Sequence, residues 1–253
     1  MLRAYGEGRI FGETYGDGPV RVLWLHGWAR TGADFATSAA PLAREGIASL
    51  ALDLPGFGAS PLPATAGGAA TYAGLLAPVL SELAAGPVVL VGHSNGGRVA
   101  TVLAATNPHD VRGLVLSGAP LVRVATPRRA PRAYRLVRAM HRRGLISEAR
   151  MEEARQKYGS RDYRAATGLL REILVASVNE SFETELSLVQ APVTLVWGAN
   201  DHDVPLDVAR RIEQLLVRSP EVRLEVLADT GHLVPSERPA ALSEAVRRLV
   251  GAS

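Results

Sequence analysis

Six short apolar runs recur along this chain, each closed by Gly, Pro or Asp, with longer amphipathic patterns between them. They are "VRVLWLHG" (20–27), "ASLALDLPG" (48–56), "PVVLVG" (87–92), "VRGLVLSGAP" (111–120), "APVTLVWG" (191–198) and "VRLEVLAD" (222–229). Runs of this length, apolar on both alternating faces, read as strands buried on both sides, which is the condition of a parallel sheet. The intervening stretches read as helices near 33–44, 69–85, 95–106, 205–218 and 236–250. Pro205 and Pro239 suit first-turn positions. Strand and helix in repeated alternation predict an α/β fold, a mostly parallel central sheet with helices on both faces. Residues 2–15 are expected to add antiparallel edge strands.

The alternation breaks between 121 and 185. That stretch has no strand pattern and reads as helices near 131–143, 147–158 and 161–178, with Ser147 and Ser160 as N-caps and Gly159 as a stop. The expected organisation is a core of residues 1–120 and 186–253 carrying a helical lid, 121–185, over the C-terminal edge of the sheet, where α/β proteins bind ligands.

At 253 residues and 47% hydrophobic content, the chain can bury a sizeable core as one domain with an insertion. It has no cysteine, which excludes disulfides, thiolate catalysis and Cys-ligated zinc. No apolar run reaches the roughly 18 residues of a transmembrane helix. The opening "MLRAYGEGRIFGETYGDGP" has no apolar leader segment, so a cytoplasmic location is expected. A net charge of +3 is too small for a nucleic-acid binder, and no nucleic-acid partner is expected.

Chemistry concentrates at strand ends. Gly92-His93-Ser94-Asn95-Gly96 follows a strand and opens a helix. A serine on so tight a turn needs small flanking residues, here Gly92 and Gly96, and the helix behind it favours negative charge nearby. A hydroxyl nucleophile needs a base and an orienting acid. Of six histidines, His232 in "DTGHLVPSERP" follows the last strand and falls at the same sheet edge as Ser94. Asp201 in "VWGANDHDVP" is the expected acid. Asp203 is its competitor, and could instead cap the helix near Pro205; Asp229 is near His232 only in sequence. His202 with Asp203 lacks a third ligand at useful spacing, so no metal is expected. An oxyanion needs donors. The backbone N–H of Asn95 is one candidate. The N–H of Trp28 in "LHGWARTG" is the other, where Gly27 permits close approach and His26 is expected to hold the loop.

The pieces "LHGW", "DLPGFGAS", "GHSNGG", "WGANDHDVP" and "TGH" stand in the order of the α/β-hydrolase superfamily, and over nearly its whole length the chain resembles that superfamily's serine esterases. Its subtype is similar to carboxylesterases such as pimeloyl-carrier-protein methyl esterases. The order Ser94, Asp201, His232 is the one the family uses. The resemblance implies a cofactor-free hydrolase of carboxylic esters or thioesters working through an acyl-enzyme. The alternatives are a C–C bond hydrolase of vinylogous diketones, a perhydrolase with the same triad, or a ligand-binding scaffold without turnover. Asp53, Gly56 and Gly58 are expected to shape a turn only. The expected partner is a small-molecule ester. The lid adds a second feature: Arg123, Arg128, Arg129, Arg132, Arg135, Arg138, Arg142 and Arg143 occur between 121 and 147 with no acidic residue. They form a solvated helix face, a surface for an anionic substrate or acidic carrier protein, or a membrane-surface contact.

Overall fold

The computed structural model describes residues 2–82, 85–123 and 131–251. Eight strands form one sheet: β1 (Leu2–Tyr5), β2 (Ile10–Tyr15), β3 (Val22–Leu25), β4 (Ser49–Asp53), β5 (Val88–His93), β6 (Val111–Ser117), β7 (Val193–Gly198) and β8 (Val222–Leu227). Their order is β1-β2-β4-β3-β5-β6-β7-β8. β2 runs antiparallel to β1 and β4, and every pairing from β4 through β8 is parallel.

Each central strand feeds two cores, as its period of two requires. Leu23, Leu25, Leu50, Leu52, Val88 and Leu90 point to one side, and Val22, Trp24, Ala51, Val89 and Val91 to the other. On the first side lie α2 (Ala69–Glu82) and α3 (Asn95–Thr106), packed through Leu76, Val79, Val99 and Leu103. On the second lies α1 (Ala36–Arg44), preceded by a 3-10 turn whose Phe35 ring is 5.1 Å from that of Trp24.

Between β6 and β7 come α4 (Arg132–Arg142), α5 (Glu148–Tyr158), α6 (Arg161–Ala165), α7 (Gly168–Asn179) and α8 (Glu183–Leu188). After β7 come α9 (Leu206–Leu215), α10 (Val234–Glu237) and α11 (Pro239–Gly251). α9 joins the first core through Val208 and Ile212, and α11 the second through Leu242, Val246 and Leu249. Ile173 and Leu186 are buried in the first core, so the helical segment is anchored to the sheet at its C-terminal end. Phe182 N–H donates to Leu121 O at 2.9 Å, which ties the two ends of the segment together.

The helix expected at 161–178 is two helices. Thr167 is extended and Gly168 has φ of +51°, so the backbone leaves the helix after one turn and restarts. Ser147 and Ser160 do cap α5 and α6, accepting from Arg150 N–H at 3.4 Å and Tyr163 N–H at 3.1 Å. Pro239 opens α11, whereas Pro205 stands one residue ahead of α9 with ψ of 152°. Among the described residues no helix is long and apolar enough to cross a membrane.

Candidate active site

Ser94 sits between the end of β5 and the start of α3 with φ of 51° and ψ of −114°. A positive φ on a serine is strained, and persists only where its surroundings over-determine it. Here Ser94 N–H donates to Ser117 O at 2.8 Å, and Gly97 N–H donates to Ser94 O at 3.0 Å. The flanking glycines let α3 back onto the sheet. A Cβ on Gly96 would lie 2.0 Å from Leu25 O, and one on Gly92 2.6 Å from Gly97 Cα. Gly97 belongs to the same turn, since its Cβ would meet that of Ala119 at 2.5 Å. Its signal was the doubled glycine of "SNGG".

Asp201 and His232 meet at the same edge. Nδ1–H of His232 donates to Asp201 Oδ2 at 2.8 Å. Asp201 is buried, and its Oδ1 accepts Asp203 N–H at 2.9 Å and Val204 N–H at 2.7 Å. Trp197 Nε1–H donates to Val204 O at 2.8 Å, fixing this loop to the end of β7. Burial works to lower the His232 pKa, but the Asp201 hydrogen bond and charge, with Asp203 and Glu237 behind them, raise it above the ordinary imidazole value. Asp203, His202 and Asp229 are exposed, and the Asp203 contact to Asp201 is through its backbone. Among the described residues no three or more His, Cys, Asp or Glu side chains gather into a metal-binding group.

Two residues around this pair lay outside the sequence reading. Gly118, with φ of +54°, passes so close that a Cβ there would lie 2.9 Å from the His232 ring and 3.3 Å from Asp201 Oδ2. Glu237 accepts Gly231 N–H at 2.7 Å and Leu233 N–H at 3.0 Å, bracketing His232 on both sides. An acid in the short helix after "TGH" was the available signal.

The loop after β3 lies against Ser94. A Cβ on Gly27 would come within 3.4 Å of Ser94 Cβ. His26 is buried and bridges this loop to the one after β4. Leu54 N–H donates to its Nε2 at 2.9 Å, so the proton is on Nδ1, which donates to Gly27 O at 2.7 Å. Burial lowers its pKa, keeping it neutral. Asp53 accepts Gly32 N–H and Ala59 N–H, both at 2.8 Å, so its carboxylate shapes the turn. The Trp28 ring is half-buried, edge-on to Phe57 with centroids 5.0 Å apart. Asn95 is buried at the first position of α3, where N–H groups have no acceptor within the helix.

His93 fills the space behind these groups. Its Nδ1–H donates to Ser117 O at 3.1 Å, and its ring is 5.0 Å from that of His232. Burial, with the His232 charge adding to it, pushes its pKa down to about 3. It is a neutral spacer against the back of the histidine–aspartate pair.

Of the arginines singled out in the sequence, Arg128 and Arg129 lie outside the described residues. Arg123 donates to Asn179 O at 2.7 Å. Arg132, Arg135, Arg138, Arg142 and Arg143 are exposed on or just after α4.

Residues 22–245 match the model of the alpha/beta hydrolase family. The chain is 32% identical to the lipase LipV of Mycobacterium tuberculosis, over 94% of this chain and 97% of that one. It is 28% identical to the 2-hydroxy-6-oxononadienedioate/2-hydroxy-6-oxononatrienedioate hydrolase of Klebsiella pneumoniae, over 94% and 89%. It is 30% identical to the pimeloyl-[acyl-carrier protein] methyl ester esterase of Aromatoleum aromaticum, over 83% and 90%. With its sheet order, its strained serine turn and a family match spanning most of its length, the chain belongs to the alpha/beta hydrolase family.

Proposed function

We propose that this hydrolase cleaves carboxylic esters or thioesters through Ser94, His232 and Asp201. The observation that carries the reading is a serine held at φ of 51° on the β5–α3 turn, beside a His232–Asp201 pair closed at 2.8 Å. Because Nδ1 of His232 carries the proton donated to Asp201, its Nε2 is the basic nitrogen. Ser94 Oγ attacks the carbonyl carbon as His232 Nε2 takes its proton, and the same proton then passes to the leaving alcohol or thiol. Water, deprotonated by His232, attacks the acyl-serine and releases the acid. Asp201 stabilises the imidazolium in each half-reaction. The N–H groups of Trp28 and Asn95 are the donors for the oxyanion, with the α3 N-terminus adding its field. The helices between β6 and β7 form the lid over this edge. The site is expected to work in the cytoplasm on a small-molecule ester.

The test is the hydrolysis of p-nitrophenyl esters, from acetate to octanoate, by the wild type and Ser94→Ala. The reading predicts a loss of at least about a thousandfold in the variant. Retention of most of the activity by Ser94→Ala would sink it. The Klebsiella relative brings a second reading, cleavage of a C–C bond beside a ketone by the same residues. A wild type that consumes coloured dienol diketones far faster than any ester would favour that reading.

A further inference from the structure

Among the described residues, α4 carries the densest group of arginines without a carboxylate partner. Between residues 131 and 147 there are five arginines and no Asp or Glu, and none of the neighbouring residues 124–130 is acidic either. Several surface arginines elsewhere are paired with carboxylates, and those unpaired among the described residues, such as Arg150, Arg161, Arg164 and Arg218, do not gather five to one helix without an acidic neighbour. Arg155 meets Glu148 and Glu152, Arg171 meets Glu152, Arg210 meets Asp207, and Arg247 meets Glu45 and Glu244. None of Arg132, Arg135, Arg138, Arg142 and Arg143 has a carboxylate partner among the described residues.

Among the described residues, α4 packs chiefly against α5. The Tyr134 ring is 5.8 Å from that of Tyr158, and His141 Nε2 meets Glu148 Oε2 at 2.7 Å, so Tyr134 and His141 face α5. Val137 is half-buried near the same face, Met140 is half-buried on the flank between that face and Leu136, and no residue of α4 is fully buried. At about 100° per residue, the five arginines span an arc of roughly 140° on the other side. Leu136 lies at the edge of that arc and is 63% exposed. Gly144, at φ of +69°, closes the helix, with Gly144 N–H donating to His141 O at 2.9 Å and Leu145 N–H to Met140 O at 3.0 Å. Leu145, directly beyond the last arginines, is 66% exposed, although a residue in this position of such a cap commonly packs back on its helix.

We infer that α4 is an interfacial helix that seats this protein on an anionic lipid surface, its arginines on the headgroups and Leu136 and Leu145 in the acyl boundary. A field of unpaired arginines fits any anionic partner. The two protruding leucines select among them. A plane of negative charge over an apolar interior takes up both kinds of side chain at once, and a basic helix rimmed by leucine is the form that binds there. An acidic protein would bury the leucines only where an apolar patch on it matched their positions, whereas a lipid surface needs no such match. The inference stands on α4 alone and is independent of the chemistry at Ser94.

The test is sedimentation of the full chain with vesicles of phosphatidylcholine alone and of phosphatidylcholine mixed with phosphatidylglycerol. The wild type should pellet with the mixed vesicles at low salt and be released as salt rises. Arg135→Gln with Arg138→Gln should weaken binding about fivefold per arginine, about 25-fold for the pair. Leu136→Gln with Leu145→Gln should weaken it by at least about tenfold. All four positions are exposed, and unchanged circular dichroism and unfolding midpoint show that the variants fold. No binding to the mixed vesicles at low salt overturns the inference. So does salt-sensitive binding that ignores both leucines, which would leave the arginine face to an acidic protein.

Discussion

His93 should make this protein sensitive to acid by an amount that follows from its burial. Its side chain is buried between the Ser94 turn and His232, with its pKa pushed down to about 3. In the unfolded chain the same imidazole titrates near 6.5. Below that value the unfolded state takes up a proton that the folded state refuses, so falling pH favours unfolding. The penalty is absent above about pH 6.5 and grows by about 1.4 kcal/mol per unit as pH falls. It reaches about 2 kcal/mol at about pH 5 and about 5 kcal/mol near pH 3, where the folded-state group begins to titrate. His93→Asn keeps an N–H donor for Ser117 O and has no charge to gain. Urea unfolding followed by tryptophan fluorescence, for both proteins at neutral pH and near pH 5, isolates the effect. The other histidines, including His26, which burial also keeps neutral, are common to both proteins. The stability gap between wild type and variant should shift by about 2 kcal/mol toward the variant as the solution is acidified. A gap that is the same at both pH values would refute the reasoning.

Three further outcomes are expected, two at the site and one at a control position in α2. Gly96→Ala places a Cβ 2.0 Å from Leu25 O, so α3 or β3 must move; a loss of about 3 kcal/mol in urea unfolding and of at least about a hundredfold in ester hydrolysis is expected. Gly74→Ala in α2, with nothing within 4 Å, should instead be neutral or stabilising by up to about 1 kcal/mol, and equal effects of the two substitutions would contradict the account. Since His232 must be neutral to act as a base and Asp201 raises its pKa, the acidic limb of kcat/KM should fall at a pH above the ordinary imidazole value and move down in Asp201→Asn; a wild-type limb below the ordinary value, unmoved by Asp201→Asn, would contradict that raising.

Much of this architecture was legible because both-face burial writes itself into single strands. "PVVLVG" and "VRVLWLHG" are apolar at every position that the sheet covers, and the strands found at 88–93 and 22–25 lie at or within those runs. The turn at Ser94 was legible because only glycine fits where α3 approaches Leu25 O. The choice of Asp201 over Asp203 came from its place just after the strand run "APVTLVWG" and from the capping role open to Asp203, and the geometry behind it did not show. Asp203 contributes only its backbone N–H to the turn that points the Asp201 carboxylate inward, and that turn is made by backbone N–H groups and braced by Trp197, contacts that the string "WGANDHDVP" does not spell out. Gly118 and Glu237 were missed for a related reason. Each acts on His232 through backbone, Gly118 by yielding space across loops with no local pattern, and Glu237 by accepting two backbone N–H groups, signalled only by an acid in the short helix after "TGH". The break at Thr167–Gly168 was hidden because apolar periodicity continues through it, while Gly168 alone takes the positive φ that resets the helix.

The central claim is that Ser94 becomes covalently acylated. Intact-mass spectrometry after brief exposure to a fluorophosphonate, followed by peptide mapping, tests it most directly, because the reagent captures a serine only where a base activates it. The account predicts one adduct per chain, on Ser94, absent in Ser94→Ala and strongly slowed in His232→Ala. An adduct on another residue, or equal labelling of the wild type and His232→Ala, would contradict it.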